Sequence, residues 1–327
     1  MLNKQLIYLT GSGRSGSTLL DMMLDGHSCI SALGEVHRLY LNAHKSNLAH
    51  KCTCGESLNE CPRWQAVARA LSDLLSIPKE DVFKQLLTTD PRYLQIPDDE
   101  SGLNIHEPVP ERLYAAAPAK LAAMLGSPKL LRILSAISSE VAMHRNILRD
   151  SLTLYEAVRQ TFQTPLIVDS TKTPVRLSGL AAHSPDKFKV IYLLRDGRGV
   201  TAARMKRQSV SMAQAARIWK SEHRKIRFAL RRIPDGDVIR IRYEDVCTNP
   251  EQELTSLCKF LNVEFESGML NFRSPIRHSL GGNPMRWRLR ESEIKLNENW
   301  RDSLSKVDLQ EFERIGGEWN ARLGYGS

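Results

Sequence analysis

A glycine-rich stretch near the start of the chain has the residue types of a phosphate-binding loop. It reads GSGRSGSTLL over residues 11–20 and follows the apolar run LIYLT. Its glycines and threonine match the nucleoside-triphosphate loop G-x-x-x-x-G-K-[ST], but Ser17 stands where that loop has lysine. Because this lysine contacts the β and γ phosphates beside a bound magnesium ion, the stretch is a poor match for a metal-bound triphosphate.

Arg14 places a positive charge inside this stretch, close to the first phosphate that follows the strand. A strand-to-helix turn also directs backbone N–H groups and the positive end of the helix dipole at one point, whatever its side chains are. Together these features suit a short 5′ phosphoanhydride that needs no magnesium. The alternative is a helix N-terminus whose small residues serve packing alone.

A second basic motif, RDGR at residues 195–198, follows the apolar run VIYLL. Open α/β sheets bind ligands at the carboxyl ends of their strands, which is where this motif falls. Arg195 and Arg198 could hold a second phosphate by forked hydrogen bonds. A surface Arg–Asp pair at a turn is the alternative interpretation.

Glu35, His37 and Lys172 are candidates for proton transfer and charge stabilisation. If residues 30–38 are extended, Glu35 and His37 project to one side, because side chains alternate along a strand. A carboxylate and an imidazole that face one site could take a proton from an acceptor. Lys172 follows another strand at the edge that carries the glycine-rich loop. Taken alone, the Glu-x-His pair is weak evidence, and a plain surface pair is the better interpretation.

Four apolar, β-branched runs should form the strands that position these groups. They cover residues 6–10, 166–169, 190–194 and 238–242. Helical patterns follow at 17–24, at 174–182, in a long segment that reaches residue 232, and at 249–261. Strand followed by helix, repeated along the chain, predicts an α/β fold with a central parallel sheet between helical layers, as in phosphate-loop proteins.

We expect residues 1–327 to form a single domain. Residues 40–163 are expected to be a mainly helical insertion, with helical pieces at 64–75, 79–87, 111–125 and 129–162. Residues 268–290 form a long irregular segment, which is typical of a functional loop. Helical segments near 296–300 and 306–323 end the chain.

The net charge of +9 and the pI near 9.3 indicate an anionic partner. Nucleic acid, an acidic membrane surface and a small multiply charged ligand all fit that charge. Five residues before the first strand leave no room for a signal peptide, and no stretch approaches the ~20 apolar residues of a membrane span. We therefore expect a cytoplasmic protein without a membrane span.

Three of the six cysteines, Cys52, Cys54 and Cys61, cluster in the sequence. Without a secretory signal, reduced thiols are expected rather than disulfides. A zinc site with His44 or His50 fits the known ligand spacings only loosely, so a structural turn with spare thiols is the favoured interpretation. The sequence leaves metal binding and disulfide formation open.

Taken together, the two basic motifs resemble those of the sulfotransferases that use 3′-phosphoadenosine 5′-phosphosulfate (PAPS). In that family R-S-G-[ST]-T or K-S-G-T-T wraps the 5′-phosphosulfate, and R-D-[GP]-R after a later strand binds the 3′-phosphate. RSGST at residues 14–18 and RDGR at residues 195–198 are similar to these elements in order, spacing and context.

Other segments extend this resemblance. GEVH at 34–37 is similar to the segment that carries the glutamate base in tyrosylprotein and heparan sulfate sulfotransferases. VDSTK at 168–172 resembles the strand end whose lysine contacts the sulfonate, and residues 278–286 resemble the loop that closes over the nucleotide. The resemblance implies catalytic roles for Glu35, His37, Lys172 and Arg14, and nucleotide contacts from Gly13, Arg14, Ser15, Gly16, Ser17, Thr18, Arg195, Arg198, Tyr243, Gly282, Asn283 and Arg286.

The implied reaction transfers a sulfonate from PAPS to a hydroxyl group and releases 3′,5′-diphosphoadenosine (PAP), without a metal. The acceptor could be a glycan, a lipid-linked sugar, a small metabolite or a tyrosine. One residue departs from the family pattern, because Ala203 stands where a serine hydroxyl commonly joins the 3′-phosphate site. Thr201, Arg204 or backbone N–H groups would have to replace that contact.

Two other functions fit parts of the sequence. One is an unusual phosphate-loop kinase or nucleotide hydrolase, which would need magnesium and a triphosphate. The other is a nucleic-acid-binding module, suggested by the basic segment 220–232. We expect no nucleic-acid partner, and the oligomeric state stays open.

Overall fold

A computed structural model of the protein describes residues 6–39, 43, 51–86, 88, 128–183, 188–271, 277–287 and 294–326. The helical piece expected at 111–125 lies outside these residues, as do His44 and His50.

Five parallel strands form a single sheet in the order β2-β3-β1-β4-β5. They are β1 (Leu6–Gly11), β2 (Ile30–Ala32), β3 (Leu166–Asp169), β4 (Phe188–Leu194) and β5 (Val238–Arg242). The four predicted strands are confirmed, and β2 adds a short strand at one edge. Every residue of β1, β3 and β4 is buried, as expected for central strands covered on both faces.

Thirteen α-helices lie in the described part of the chain. They are α1 (Ser17–Leu24), α2 (Pro62–Leu75), α3 (Val82–Gln85), α4 (Pro128–Ser135), α5 (Ser139–Phe162), α6 (Pro174–His183), α7 (Gly197–Gln208), α8 (Met212–Leu230), α9 (Tyr243–Thr248), α10 (Pro250–Leu261), α11 (Trp300–Ser303), α12 (Lys306–Phe312) and α13 (Glu318–Arg322). Short 3₁₀ turns occur at Val36–Arg38, Asp235–Asp237, Ser267–Met269 and Pro284–Trp287. Within the described residues, no helix has the length and apolar character needed to cross a membrane.

The long helical segment predicted after β4 is two helices, α7 and α8. Ser209 adopts a left-handed conformation with φ of 50° and ends α7. Ser211 then begins α8 through a capping box, in which its side chain and that of Gln214 satisfy each other's backbone N–H groups.

Alternate residues of the strands pack into two cores on opposite faces of the sheet. Leu6 and Tyr8 of β1 lie in one core with residues of α2, α5, α6 and α8, while Ile7 and Leu9 lie in the other with α1, α9 and α10. The result is a helix–sheet–helix sandwich, which confirms the predicted α/β fold class.

The segment after β2 is not extended as predicted, because the strand ends at Ala32 and a 3₁₀ turn begins at Val36. Between them Gly34, with φ of 72°, forms a parallel bridge with Leu280. Leu280 belongs to residues 277–287, called here the late loop. A Cβ atom on Gly34 would lie 2.1 Å from the Leu280 carbonyl oxygen, so this approach requires glycine.

Replacing Gly34 with alanine should lower the free energy of unfolding by about 1–3 kcal/mol, because the added methyl group forces the late loop away and the backbone is left-handed. Denaturant unfolding measures the effect. Gly236→Ala is the control, since its Cβ would meet no atom within 4 Å. Equal stability of the two variants would contradict the placement of Leu280 against Gly34.

Candidate active site

The glycine-rich loop between β1 and α1 presents its backbone to an open site. Gly16, with φ of 92°, is the N-cap of α1, and the first N–H groups of the helix have no partner within it. A Cβ on Gly16 would lie 2.4 Å from the Tyr243 ring, and one on Gly11 would lie 2.6 Å from the Leu193 carbonyl oxygen. Ser15 Oγ is buried and bonds no described residue. These features suit the binding of an anion at the loop.

Positive charge is concentrated beside this loop. Burial, followed by repulsion from Arg207 and Arg204, lowers the pKa of Arg14 to about 10. Arg204 is held in place by Glu222, whose two carboxylate oxygens each accept from Nη2 at 2.9 Å. Glu222 also accepts a hydrogen bond from the Ser12 hydroxyl of the loop. Mutually repelling cations at one place favour the arrival of an anion.

Arg195 lies against the same loop, as the motif at 195–198 predicts. Its Nη1 donates to the Arg14 carbonyl oxygen and its Nη2 to that of Asn297, each at 2.9 Å. Its guanidinium carbon lies 4.2 Å from the centre of the Tyr243 ring, a cation–π distance. The structure therefore brings Arg14, Arg195 and Tyr243 together, although they are far apart in sequence.

Arg198 makes a different set of contacts. Its guanidinium pairs with the Asp196 carboxylate at 2.7 Å and donates to the Gly326 carbonyl oxygen at 3.0 Å. It also lies 4.6 Å from the centre of the Trp300 ring. These contacts tie Arg198 to the C-terminal segment, and its expected contact with a phosphate stays a prediction.

The two side chains suggested as substitutes for a serine at Ala203 differ in position. The Thr201 hydroxyl is buried and donates to the Gly197 carbonyl oxygen at 2.7 Å, within its own helix. Arg204 instead faces the loop, where a Cβ on Gly13 would lie 3.4 Å from its Nη2. Arg204 is therefore the better placed of the two to contact a phosphate.

Glu35 and Lys172 form an ion pair at the carboxyl edge of the sheet. Lys172 Nζ lies 2.7 Å from Glu35 Oε1, and Arg38 Nη1 lies 3.5 Å from Glu35 Oε2. Lys172 adopts a left-handed conformation with φ of 67°, and its carbonyl oxygen accepts from the Thr10 hydroxyl at 3.2 Å. A strained residue held by such contacts is typical of a functional site.

His37 lies in the 3₁₀ turn and not on a strand, so the predicted reason for its pairing with Glu35 is wrong. Burial lowers the pKa of His37 to about 4, although the nearby Glu35 opposes the shift. The imidazole is therefore neutral at pH 7. Its Nδ1 is buried and makes no hydrogen bond to a described residue.

A buried network that the sequence did not reveal supports the turn containing Lys172. The Asp169 carboxylate accepts from the Thr171 backbone N–H at 2.8 Å and from Arg176 Nε at 3.1 Å. The Tyr155 hydroxyl donates to Asp169 and accepts from Arg176 Nη2 at 2.8 Å. Because both charges are paired and hydrogen-bonded, the network can stay buried and fix the turn.

Asp21 of α1 is a second residue that the sequence did not single out. It lines a small cavity together with Thr18, Glu35, Lys172 and residues of the late loop. The Ser170 hydroxyl donates to its carboxylate. Burial raises the pKa of Asp21 to about 6, against the opposing effects of this hydrogen bond and of Lys172.

The late loop lies over the N-terminus of α1. The backbone N–H of Asn283 donates to Thr18 Oγ1 at 3.0 Å, and a Cβ on Gly282 would lie 3.0 Å from the same oxygen. Arg286 Nη1 donates to the Gly281 carbonyl oxygen, and burial lowers the pKa of Arg286 to about 10. Gly282 and Arg286 line one cavity with Thr18 of the glycine-rich loop, and the nucleotide contacts expected of Gly282, Asn283 and Arg286 stay a prediction.

Comparisons with known proteins bear on the family and the fold of the chain. The model of the sulfotransferase family matches residues 7–267. The sulfotransferase domain from the curacin biosynthetic pathway is 20% identical over 98% of both chains, with a TM-score of 0.52. The sulfotransferase domain from the Synechococcus PCC 7002 olefin synthase is 21% identical over 95% of this chain and 94% of that one, with a TM-score of 0.53. At these identities the structural likeness concerns the fold alone. No curated protein matches the chain in sequence.

Replacing Asp21 with asparagine should make stability depend less on pH. Because its pKa is raised to about 6, Asp21 keeps its proton in the folded protein at pH values where the unfolded chain, with a pKa near 4, has released it. The stability that this proton contributes is therefore lost as pH rises from about 4 towards 6. At ~1.4 kcal/mol per pKa unit, the variant should match the wild type near pH 3.5 and exceed it by as much as about 3 kcal/mol at pH 7. Denaturant unfolding across this range measures the difference, and a constant difference would contradict the raised pKa.

Proposed function

The chain belongs to the sulfotransferase family, and we propose that it transfers a sulfonate group from PAPS to a hydroxyl acceptor and releases PAP. The observation that carries the proposal is the Glu35–Lys172 ion pair, which lines one cavity with Thr18 of the phosphate-binding loop. A glycan, a lipid-linked sugar, a small metabolite and a tyrosine are the acceptor classes to test.

The residues around the glycine-rich loop fit the donor. The buried Ser15 hydroxyl, the backbone N–H groups of residues 13–18 and the charge of Arg14 would hold the 5′ end. Arg195 and Arg204 would hold the 3′-phosphate, Arg204 in place of the serine that Ala203 replaces. In this assignment the phosphate groups of the donor neutralise the positive charges near Arg14.

Two parts of the chain would complete the site around this donor. Residues 268–290 would cover the nucleotide, which is supported by the hydrogen bond between Asn283 and Thr18. Residues 40–163 would shape the acceptor pocket, and the whole chain would act as a single domain.

Glu35 is the general base of the proposed reaction. When bound, PAPS supplies a sulfonate activated by its bond to the 5′-phosphate. Glu35 accepts the hydroxyl proton as the acceptor oxygen bonds to sulfur, while Lys172 and Arg14 stabilise the charge on the sulfonate and the departing phosphate oxygen. His37, neutral at pH 7, is a positioning residue for Glu35.

The two alternative functions gain less support from the structure. The loop lacks the lysine of a nucleoside-triphosphate site, as Ser17 stands in its place. Arg224 and Lys225 of α8 are exposed, but two other basic residues of this helix make contacts within the chain. Lys220 donates to the Ile315 carbonyl oxygen at 3.0 Å, and Arg227 lies 5.2 Å from the Trp319 ring centre. A surface used for nucleic acid would keep such groups available.

The direct test of the proposal is transfer of labelled sulfonate from PAPS to a panel of acceptors from the four classes, or to cell extract. A labelled product should form without added magnesium. Labelled phosphate transfer from ATP to the same panel, with no sulfonate transfer, would instead support a kinase.

Replacing Glu35 with glutamine should lower turnover about 10²–10⁴-fold, because the reaction loses its general base. Binding of PAP, measured by calorimetry, should be retained. Glu311→Gln is the matched control, since this half-buried carboxylate pairs with Arg314 three residues away and its loss should leave turnover unchanged. Unimpaired turnover of the Glu35 variant would remove Glu35 from the role.

Replacing Arg14 with alanine should weaken PAP binding about 10–100-fold, as expected for the loss of one charge-assisted hydrogen bond. Thermal shift without added magnesium measures this, and ATP should produce no comparable shift in the wild type. Arg314→Ala, on the exposed surface, is the control for the loss of one positive charge. Equal PAP affinity of the two variants would place the nucleotide elsewhere.

A further inference from the structure

Three thiols and one imidazole converge beside the late loop, and the proposed transfer reaction uses none of them. Cys52, Cys54, Cys61 and His278 place their ligand atoms within 4.8 Å of one another. Cys52 and Cys61 are buried, while Cys54 and His278 are half-buried. The four groups therefore form one compact cluster at the margin of the core.

The distances within the cluster suit a tetrahedral metal ion. The sulfur atoms of Cys52 and Cys61 are 3.6 Å apart, and His278 Nδ1 lies 3.2 Å from Cys61 Sγ and 3.9 Å from Cys52 Sγ. Bonds of about 2.3 Å from zinc to sulfur and about 2.0 Å to nitrogen, at the tetrahedral angle, separate two sulfurs by roughly 3.7 Å and sulfur from nitrogen by roughly 3.5 Å. A disulfide would require about 2.05 Å between the sulfurs.

We propose that Cys52, Cys54, Cys61 and His278 bind one zinc ion as a structural Cys₃His site. Thiolate and imidazole ligands in tetrahedral arrangement favour zinc over the hard cations magnesium and calcium. Four protein ligands leave no position for a substrate or a reactive water, which is the arrangement of structural and not catalytic zinc.

The backbone around the cluster holds the cysteine ligands in place. The Cys52 N–H donates to the Glu56 carbonyl oxygen at 2.9 Å, and the Gly55 N–H donates to the Cys52 carbonyl oxygen at 2.9 Å. These two bonds form the tight turn that carries Cys52 and Cys54. Cys61 is the residue immediately before α2, so the rigid helix start fixes its position.

The fourth ligand is fixed by contacts from the same cysteine segment. The Thr53 N–H donates to the Ser279 carbonyl oxygen at 3.1 Å, and the Ser279 N–H donates back to Thr53 Oγ1 at 2.9 Å. Trp64 Nε1 donates to the His278 carbonyl oxygen at 3.0 Å. His278 is thus brought to the thiols by bonds to its own carbonyl oxygen and to the next residue, and little rearrangement is needed to bind the ion.

Zinc at this site would anchor the late loop. Only two residues beyond His278, the Leu280 carbonyl oxygen accepts from the backbone N–H of Glu35 at 2.7 Å. Three residues further on, the Asn283 N–H donates to Thr18 Oγ1 of the glycine-rich loop. The ion therefore joins the turn at residues 52–56 to the part of the late loop that positions Glu35.

Metal analysis of the untagged full-length chain, purified under reducing conditions, tests the proposal independently of any transferase activity. The wild type should contain about one zinc per chain. Cys54→Ser, Cys61→Ser and His278→Ala should lower the zinc content at least about tenfold, because each removes a ligand. His278→Cys should retain zinc, since a thiolate replaces the imidazole, and Cys29→Ser is the control outside the cluster.

Co²⁺ provides a second measurement that needs no variant. Added to zinc-depleted wild-type protein, it should give the intense visible absorption of tetrahedral cobalt and a thiolate-to-cobalt band, both lost on adding zinc. Wild type without zinc or this absorption would overturn the proposal. The thiol count would then separate the alternatives, since loss of two of the six thiols marks a disulfide and six free thiols mark a plain turn.

Discussion

Four backbone hydrogen bonds hold Glu35 in position, and the rest of the candidate site depends on them. Two of these bonds join the segment before Glu35 to β3 and the residue after it. The Leu33 N–H donates to the Val168 carbonyl oxygen at 2.9 Å, and the Ser170 N–H donates to the Gly34 carbonyl oxygen at 2.8 Å. On the other side, the Leu280 N–H donates to Leu33 at 2.9 Å, and the Leu280 carbonyl oxygen accepts from Glu35 at 2.7 Å. The late loop therefore continues the pairing of the sheet edge beyond β2.

This edge places the reactive groups at a common point because parallel strands end on the same side of the sheet. The loop after β1 would bind the 5′ end of the donor, the turn after β3 supplies Lys172, and the turn after β4 supplies Arg195. Burial lowers the pKa of Arg14 and of Arg286 to about 10, and repulsion adds to this shift, from Arg207 and Arg204 at Arg14 and from Arg38 at Arg286. An anionic ligand would relieve that repulsion, and its charge could be neutralised without a metal ion.

The strands and the glycine-rich loop could be predicted from the sequence because their signals are local. Four buried apolar runs and a glycine-rich turn each lie within about ten residues, and the structure has them where they were expected. Arg195 directly follows β4, and Lys172 comes three residues after the end of β3, so the positions of both relative to the sheet could also be predicted. Short-range pattern was misleading at residues 33–38, where Gly34 turns the chain and a 3₁₀ turn replaces the extended segment.

The features that sequence reasoning missed depend on partners far along the chain. Asp21 gains its importance from Ser170, which is 149 residues away. Cysteine spacing pointed to His44 or His50 as a fourth ligand, whereas His278 lies 217 residues from Cys61. No periodicity or spacing rule joins residues at such separations, because their proximity arises only when the late loop packs against the sheet edge.

The most direct test of the central claim is a crystal structure of the protein with PAP. The account predicts that the 5′-phosphate lies within hydrogen-bond distance of the backbone N–H groups of residues 14–18, and that the 3′-phosphate contacts Arg195 or Arg204. Glu35 and Lys172 should then face the open side of the 5′-phosphate, where a sulfonate would be attached. PAP bound away from the glycine-rich loop, or with its 5′-phosphate pointing away from Lys172, would contradict the account.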